Sequence, residues 1–178
     1  TLSFVAEPGK LFTVFSQPAV IIGLALIVFA VAFKLSLAPF HKWTPDVYAG
    51  APAPIATFLA TVAKVAMIGL FVRYVLSSGL ILADSFVTII SIIAVLSILA
   101  GNLLAVRQVN LKRILAYSSI AHFGYLLVAI VSSRNTDFLQ VQGFATFESV
   151  NVYVITYVLT TIGVFGVVTL MSSPHNNA

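Results

Sequence analysis

Two lysines in apolar surroundings are the residues of this sequence best suited to chemistry. Lys34 ends a long apolar run close to Pro39, and Lys64 lies in the middle of the next apolar run. A charged lysine at the centre of a membrane helix costs at least about 2.5–3.5 kcal/mol, so it must face water, pair with a carboxylate or give up its proton. Burial favours the neutral amine, whereas a nearby anion favours the ammonium form. A lysine balanced between these effects can take up and release protons, and proton relay is the chemistry we expect.

The two lysines differ in depth. Lys64 lies about 15 Å from either end of its predicted helix, whereas a lysine side chain spans only about 6 Å, so it cannot snorkel to water. For Lys64 the alternative to a relay is a structural ion pair between helices. Lys34 lies about one turn before Pro39 and can snorkel. However, broken helices with a charged residue are also how transporters build ion sites at depth, so both interpretations of Lys34 stay open.

A polar stripe on a later apolar segment gives a third signal. Its members fall within an arc of roughly 140° on a helix, which predicts that they face the bundle or a chain of waters rather than lipid. They are Lys112, Ser118, Ser119, His122 and Tyr125. A histidine titrates near pH 6.5 and can relay protons. The alternatives are hydrogen bonds to a neighbouring helix for the serines and His122, and a topology signal for Lys112 with Arg113.

The composition assigns these residues to a polytopic membrane protein. The chain of 178 residues is 60% hydrophobic and 8% charged, with mean hydropathy +1.10, whereas soluble domains carry about 25% charged residues. There is no cysteine, which excludes thiolate-held iron–sulfur clusters and disulfides within this chain. The net charge of +4 comes from scattered residues and indicates membrane topology rather than nucleic-acid binding. Nucleotide-binding glycine motifs and clustered metal ligands are absent, so we predict no cofactor or metal site.

The apolar runs predict an all-α transmembrane bundle of about five membrane helices. Their predicted ranges are residues 18–38, 54–76, 86–106, 109–131 and 150–171. Pro39 breaks the first helix, and a short half-helix can follow it within residues 40–53, where Trp43 and Tyr48 suit the membrane interface. Residues 1–17 are predicted to be an extramembrane segment that is not a cleavable signal peptide, residues 18–172 the membrane region, and residues 173–178 a polar tail. We also expect the chain to be a fragment.

Smaller features lead to further expectations. Asn102 is predicted to form an interhelical hydrogen bond, and Gly163 with Gly166 to allow close helix packing. Residues 132–149 are predicted to be a polar loop. The acidic residues in or beside loops are expected to be solvated; they are Glu7, Asp84, Asp137 and Glu148.

Basic residues in the short connections predict the orientation. The connection between the third and fourth helices carries a cluster of Arg107, Lys112 and Arg113. Because cytoplasmic loops carry an excess of lysine and arginine, we place this connection, the connection after Pro39 and the polar tail in the cytoplasm.

Three sequence blocks, in this order, resemble the antiporter-like membrane subunits of respiratory complex I. They are FKLSLAPFHKWTPDVYAGAP at residues 33–52, AK at residues 63–64 and NLKRILAYSSIAHFGY at residues 110–125. The resemblance extends from about residue 17 to residue 174 and is strongest to the subunit-N family of bacterial NADH–quinone oxidoreductases. In that family Lys34 matches the lysine of the discontinuous seventh helix, Lys64 that of the eighth, and Lys112 that at the start of the tenth.

The resemblance implies a function and a set of partners. The chain is expected to be part of a proton-translocating subunit, with Lys34, Lys64, Lys112 and His122 as the proton relay. Electron transfer from NADH to quinone, with FMN and iron–sulfur clusters, is expected in partner subunits. The expected surroundings are other membrane subunits, the lipid bilayer, protons and bound water in the bacterial inner membrane, without nucleic acid. The family's fifth-helix glutamate and its second broken helix fall outside this sequence.

Two other functions remain open at this stage. One is a cation/proton antiporter subunit of the multisubunit sodium type, which shares the broken helix. The other is a non-transporting structural membrane subunit whose lysines only pair helices.

Overall fold

The computed structural model describes residues 17–133 and 142–171, and within these ranges the chain forms helices and no strands. The helices are α1 (Pro18–Leu35), α2 (Trp43–Gly50), α3 (Ala53–Ala60), α4 (Val62–Ser78), a 3₁₀ turn (Leu80–Leu82), α5 (Asp84–Val106), α6 (Leu111–Ser132) and α7 (Gln142–Met171). Five segments are long and apolar enough to cross a membrane, with α3 and α4 together forming one of them. The predicted all-α bundle of five membrane helices is confirmed.

The first membrane helix breaks near Pro39, as predicted, but it ends earlier. α1 stops at Leu35, because Ser36 adopts the left-handed conformation with φ 63°. The N–H groups of Ser36 and Leu37 turn back to carbonyls of the last turn of α1, at 3.1 and 2.8 Å, in the pattern of a Schellman cap. The predicted half-helix after the break is α2.

The second membrane segment is interrupted, and the prediction of one continuous helix over residues 54–76 is wrong at this point. Thr61 has φ −103° and ψ −82° and separates α3 from α4. Its hydroxyl donates to the Thr57 carbonyl at 2.7 Å. The carbonyl of Ala60 accepts a hydrogen bond from the Tyr157 hydroxyl of α7 at 3.1 Å. The interruption therefore gives α7 a backbone contact one turn before Lys64.

Helices α5 and α6 approach each other closely at two glycines. A Cβ atom added to Gly101 would lie 2.6 Å from the backbone nitrogen of Ala121, and one added to Gly124 would lie 2.8 Å from a side chain of α5. Glycines at such positions let two backbones approach closely. The close packing predicted for Gly163 and Gly166 is wrong for the described part of the chain, because an added Cβ would meet no atom there within 4 Å.

The connection before α7 is shorter than the predicted polar loop over residues 132–149. α7 already begins at Gln142, and its membrane-crossing part starts at Glu148. Glu148 and Asp84 are exposed, as expected. Glu7, Asp137, the opening segment up to residue 16, residues 134–141 and the polar tail lie outside the described residues.

Buried side chains form two separate apolar clusters. The larger cluster joins α1, α4, α5, α6 and α7, and the smaller one surrounds Tyr48 and Phe165. Tyr48 was predicted at the membrane interface, but the structure buries it completely. The reason is that α2 folds back against α6, which turns this face of α2 inward.

Candidate functional site

Lys64 is buried among the described helices. It is in the first turn of α4 and only 1% exposed. Its Nζ donates a hydrogen bond to Ser119 Oγ of α6 at 2.9 Å. The rings of Phe123 and Tyr48 face Nζ, with centroids at 5.1 and 5.8 Å, which stabilises a positive charge. The partner of Lys64 is a hydroxyl and not a carboxylate, so the described residues do not form the structural ion pair considered above.

Ser119 is arranged to accept from Lys64. Its own hydroxyl proton goes to the carbonyl of Ala116, at 2.8 Å. Such back-bonding to the preceding turn is common for serine in a helix. With its proton engaged, the Ser119 oxygen presents its lone pairs to the ammonium group of Lys64.

A cavity of about 160 Å³ adjoins Ser119 between α3, α6 and α7. Its polar lining consists of Ser118, Ser119, His122, Tyr157, Thr160 and Thr161. A cavity of this size has room for several water molecules, each of which needs two to four polar partners. The cavity can therefore hold a hydrogen-bonded chain that begins at the Ser119–Lys64 pair.

His122 closes this cavity on the α7 side. It is half-buried, and its Nδ1 lies 2.7 Å from the Tyr153 hydroxyl. Its ring also contacts the ring of Tyr157, with centroids 5.4 Å apart. Imidazole and hydroxyl groups both donate and accept hydrogen bonds, so this pair can pass a proton along. Of the predicted stripe, the structure brings Ser118, Ser119 and His122 together around the cavity, and Ser119 among them contacts Lys64.

Tyr125, the last member of the stripe, does not line the cavity, although its ring lies edge-on to that of His122 with centroids 6.3 Å apart. Its hydroxyl accepts a hydrogen bond from Asn102 Nδ2 of α5 at 3.1 Å. The predicted interhelical hydrogen bond of Asn102 is thus confirmed, and Tyr125 takes part in it rather than in the cavity.

Lys112 contacts the end of α2 instead of the cavity. Its Nζ donates to the carbonyl of Ala51 at 2.9 Å, where a cation also interacts favourably with the helix dipole. Asn110 caps α6 by accepting the Lys112 N–H at 3.0 Å. Next to it, Arg113 forms an ion pair with Asp46. These contacts hold the connections after α2 and after α5 on one side of the bundle, and the cytoplasmic orientation stays a prediction.

Lys34 lies apart from Lys64 in the described chain. It occupies the last turn of α1, where its side chain is exposed. It forms no hydrogen bond or ion pair with another described residue. Because α1 turns Lys34 outward, the described helices leave its ammonium group accessible to a neighbouring element.

Three buried hydroxyls hold the helix break, and the sequence reasoning missed them. Ser97 of α5 accepts the N–H of Ala38 at 2.9 Å, and Thr44 of α2 donates to the hydroxyl of Ser36. All three hydroxyl residues are fully buried. A serine that interrupts the apolar run of α5 was the only available signal, and it does not distinguish Ser97 from Ser91 on the same helix.

The described residues contain no group of three His, Cys, Asp or Glu side chains placed to hold a metal ion. The described geometry offers one buried lysine, hydroxyl groups and a histidine, which are groups able to exchange protons.

Comparison with known proteins identifies the family. A family model described as "NADH:quinone oxidoreductase/Mrp antiporter, TM" matches residues 1–178. The chain belongs to this family. It is 70% identical over 177 residues to an Acinetobacter baumannii (strain AB0057) protein named NADH-quinone oxidoreductase subunit N, covering 99% of the chain and 34% of that protein. A Psychrobacter arcticus (strain DSM 17307 / VKM B-2377 / 273-4) protein of the same name is 53% identical over 175 residues, covering 98% of the chain and 34% of its own length.

A solved structure supports the same family assignment. It is respiratory complex I from Thermus thermophilus with bound aureothin, at TM-score 0.69 and 35% identity. The match covers 93% of the chain and 32% of that structure's chain. The chain thus spans about a third of the length of the proteins it matches. The expected resemblance to subunit N and the location as a multi-pass protein of the bacterial inner membrane are confirmed.

Proposed function

We propose that this chain forms the central part of a proton-translocating membrane subunit of an NADH:quinone oxidoreductase. Electron transfer from NADH to quinone takes place in partner subunits, which hold the FMN and the iron–sulfur clusters. The observation that carries the proposal is the burial of Lys64 against Ser119, next to a cavity whose wall includes Ser119 and His122. A lysine without a carboxylate partner at this depth is costly to keep, which favours a role in proton exchange.

The path on one side of Lys64 follows from the contacts. The Lys64 ammonium gives its proton toward Ser119 and the waters of the adjoining cavity, and it is reprotonated by the reverse route. His122 and Tyr153 continue the chain at the far side of the cavity. Lys112 marks the cytoplasmic end of α6, where its contact with Ala51 keeps α2 and α6 together.

Lys34 acts as the switch of the relay. It lies one turn before the break and is exposed on the described helices, so it is accessible to the glutamate that the family places on a helix outside this sequence. Redox energy from the partner subunits changes the charge of that glutamate and with it the protonation of Lys34. Lys34 then exchanges a proton with Lys64.

Substitution of the two lysines tests the proposal in the intact complex. Lys64→Ala and Lys34→Ala are expected to abolish or strongly reduce proton pumping coupled to NADH oxidation, measured in inverted membrane vesicles. Lys42→Ala is the matched control, because Lys42 is an exposed lysine in the connection that follows α1. Wild-type pumping in both Lys64→Ala and Lys34→Ala would refute the proposal.

A charge-keeping substitution separates the relay from a structural role. Arginine stays protonated in proteins, so Lys64→Arg keeps the charge but cannot release a proton. We expect pumping to be lost in Lys64→Arg. A structural subunit, whose lysine only holds helices together, would retain pumping.

Co-purification tests the sodium-type antiporter alternative, which the family description also covers. An oxidoreductase subunit is expected to purify with flavoprotein and iron–sulfur partners. An antiporter subunit would purify without them.

A further inference from the structure

Tyr48 carries a buried polar group that the relay described above does not use. Its side chain is 0% exposed, and its hydroxyl forms no hydrogen bond with any described residue. Its ring packs against Phe165 of α7, with centroids 6.0 Å apart, and faces Lys64 Nζ at 5.8 Å. The hydroxyl is also close enough to Ser119 to interact with it, but not in hydrogen-bond geometry. An unpaired buried hydroxyl is costly, so a partner such as water is expected there.

Two further buried hydroxyls lie between Tyr48 and the helix break along the chain. Thr44 precedes Tyr48 by four residues on α2, so both side chains lie on one face about 6 Å apart along the axis. Thr44 donates to Ser36, the residue that ends α1. Ser36, Thr44 and Tyr48 are all fully buried.

We propose that the Tyr48 hydroxyl transfers protons between the helix break and Lys64. This inference rests on the proposed function and adds the residues that join its two lysines. Ser36 follows Lys34 by two residues, and the ring of Tyr48 faces Lys64 Nζ, so these hydroxyl residues lie along the chain between the two lysines. Ser119 connects Lys64 to the cavity of α6 and α7, whereas Tyr48 connects Lys64 to α2 and the break.

The proton transfer step needs bridging water and one proton donor, which the proposed function assigns to the Lys34 ammonium. A water molecule on the Thr44 side gives a proton to the Tyr48 oxygen, while the original Tyr48 proton passes through a second water to the neutral amine of Lys64, because the hydroxyl forms no direct hydrogen bond with a described residue. The Tyr48 hydroxyl is regenerated, Lys64 becomes an ammonium, and the first water recovers a proton from Lys34, which becomes a neutral amine. Only O–H and N–H bonds form and break, and the reverse sequence returns the proton.

The competing interpretation is that Tyr48 only packs. Its ring contributes a face to the Lys64 charge and fills space against Phe165. Tyr48→Phe separates the two roles, because phenylalanine keeps both ring contacts and removes only the hydroxyl.

The test is pumping by the intact complex that carries Tyr48→Phe. We expect normal assembly and a fall of at least about tenfold in the rate of coupled proton pumping, because a positioned transfer group is lost. Tyr74→Phe is the matched control on the helix of Lys64. It lies ten residues further along α4, about 15 Å away along the axis, and should pump like the wild type.

A second variant keeps the inference testable if Tyr48→Phe does not assemble. Thr44→Val removes the hydroxyl that donates to Ser36 at nearly constant volume, and it should also reduce pumping. A larger solvent deuterium effect on the residual rate in either variant would support a transfer role, since packing alone would not produce it. Wild-type pumping in Tyr48→Phe, or in Thr44→Val if only that variant assembles, overturns the inference. If the inference is overturned but Lys64→Ala still loses pumping, the proposed function stands. If Lys64→Ala and Lys34→Ala both pump like the wild type, the proposed function is refuted as well.

Discussion

Replacing Gly101 with alanine should push α5 and α6 apart and disturb the Lys64 site from a distance. The added Cβ would lie 2.6 Å from the nitrogen of Ala121 and 2.8 Å from the carbonyl oxygen of Tyr117. Both atoms belong to the backbone of α6, so no side-chain rotation can relieve the clash. Ordinary van der Waals contact begins at 3.4 Å, so α6 must move by roughly 0.8 Å or more.

The size of the effect follows from overpacking. Inserting a methyl group into a tightly packed contact costs about 1–3 kcal/mol. Ser119 lies two residues before Ala121 on α6, so the same displacement disturbs the geometry of its 2.9 Å hydrogen bond to Lys64. We therefore expect Gly101→Ala to lower both the stability of the membrane subunit and the rate of proton pumping.

The assay combines thermal stability of the detergent-solubilised complex, read from native gels after heating, with pumping in inverted vesicles. Gly163→Ala is the control, because a Cβ there meets no described atom within 4 Å and alanine has the higher helix propensity. Wild-type stability of Gly101→Ala, or an equal loss in Gly163→Ala, would refute the packing argument.

Two smaller predictions concern the contacts that hold α2 in place. Ser97→Ala leaves the buried N–H of Ala38 without an acceptor and should lower the stability by about 1–3 kcal/mol. The control Ser91→Ala loses only a hydrogen bond within α5 and should be nearly as stable as the wild type in the same heating assay. An equal loss of stability in both variants would contradict this role of Ser97. Asp46→Asn removes the ion pair with Arg113, whose side chains are 71% and 42% exposed. Its effect should stay below about 1 kcal/mol and shrink at high salt in thermal denaturation, and a larger, salt-independent loss would contradict a surface role.

The number and type of elements could be predicted from the sequence, because each depends on local signals. Apolar runs of membrane length predict the five helices, and Pro39 predicts the break. The interruption at Thr61 could not be predicted, because it depends on the Tyr157 hydroxyl from α7 and not on the residues around it. Likewise, Gly101 is distinguished from Gly163 only by the helix that packs on it.

The site was predicted in part for the same reason. Helical periodicity correctly placed Ser119 and His122 on an inward face, and depth along the helix correctly identified Lys64 as buried. The burial of Tyr48 was missed, since aromatic residues in a connector are typical of the interface and the fold of α2 against α6 is a tertiary effect. The partner of Lys34 stays a prediction, since the family places it outside this sequence.

The hydrogen bonds at the end of α1 bear on which ions the break can accommodate. The carbonyl of Ala32 accepts the N–H of Leu37, and that of Phe33 accepts both the N–H of Ser36 and, at 3.2 Å, the indole of Trp43. Unwound helices in sodium-coupled transporters coordinate the alkali cation with backbone carbonyl oxygens, but these two oxygens already bind donors. The last turn of α1 therefore spends these two carbonyl oxygens on closing the helix and on anchoring Trp43, and the break is held by internal hydrogen bonds rather than by a bound cation.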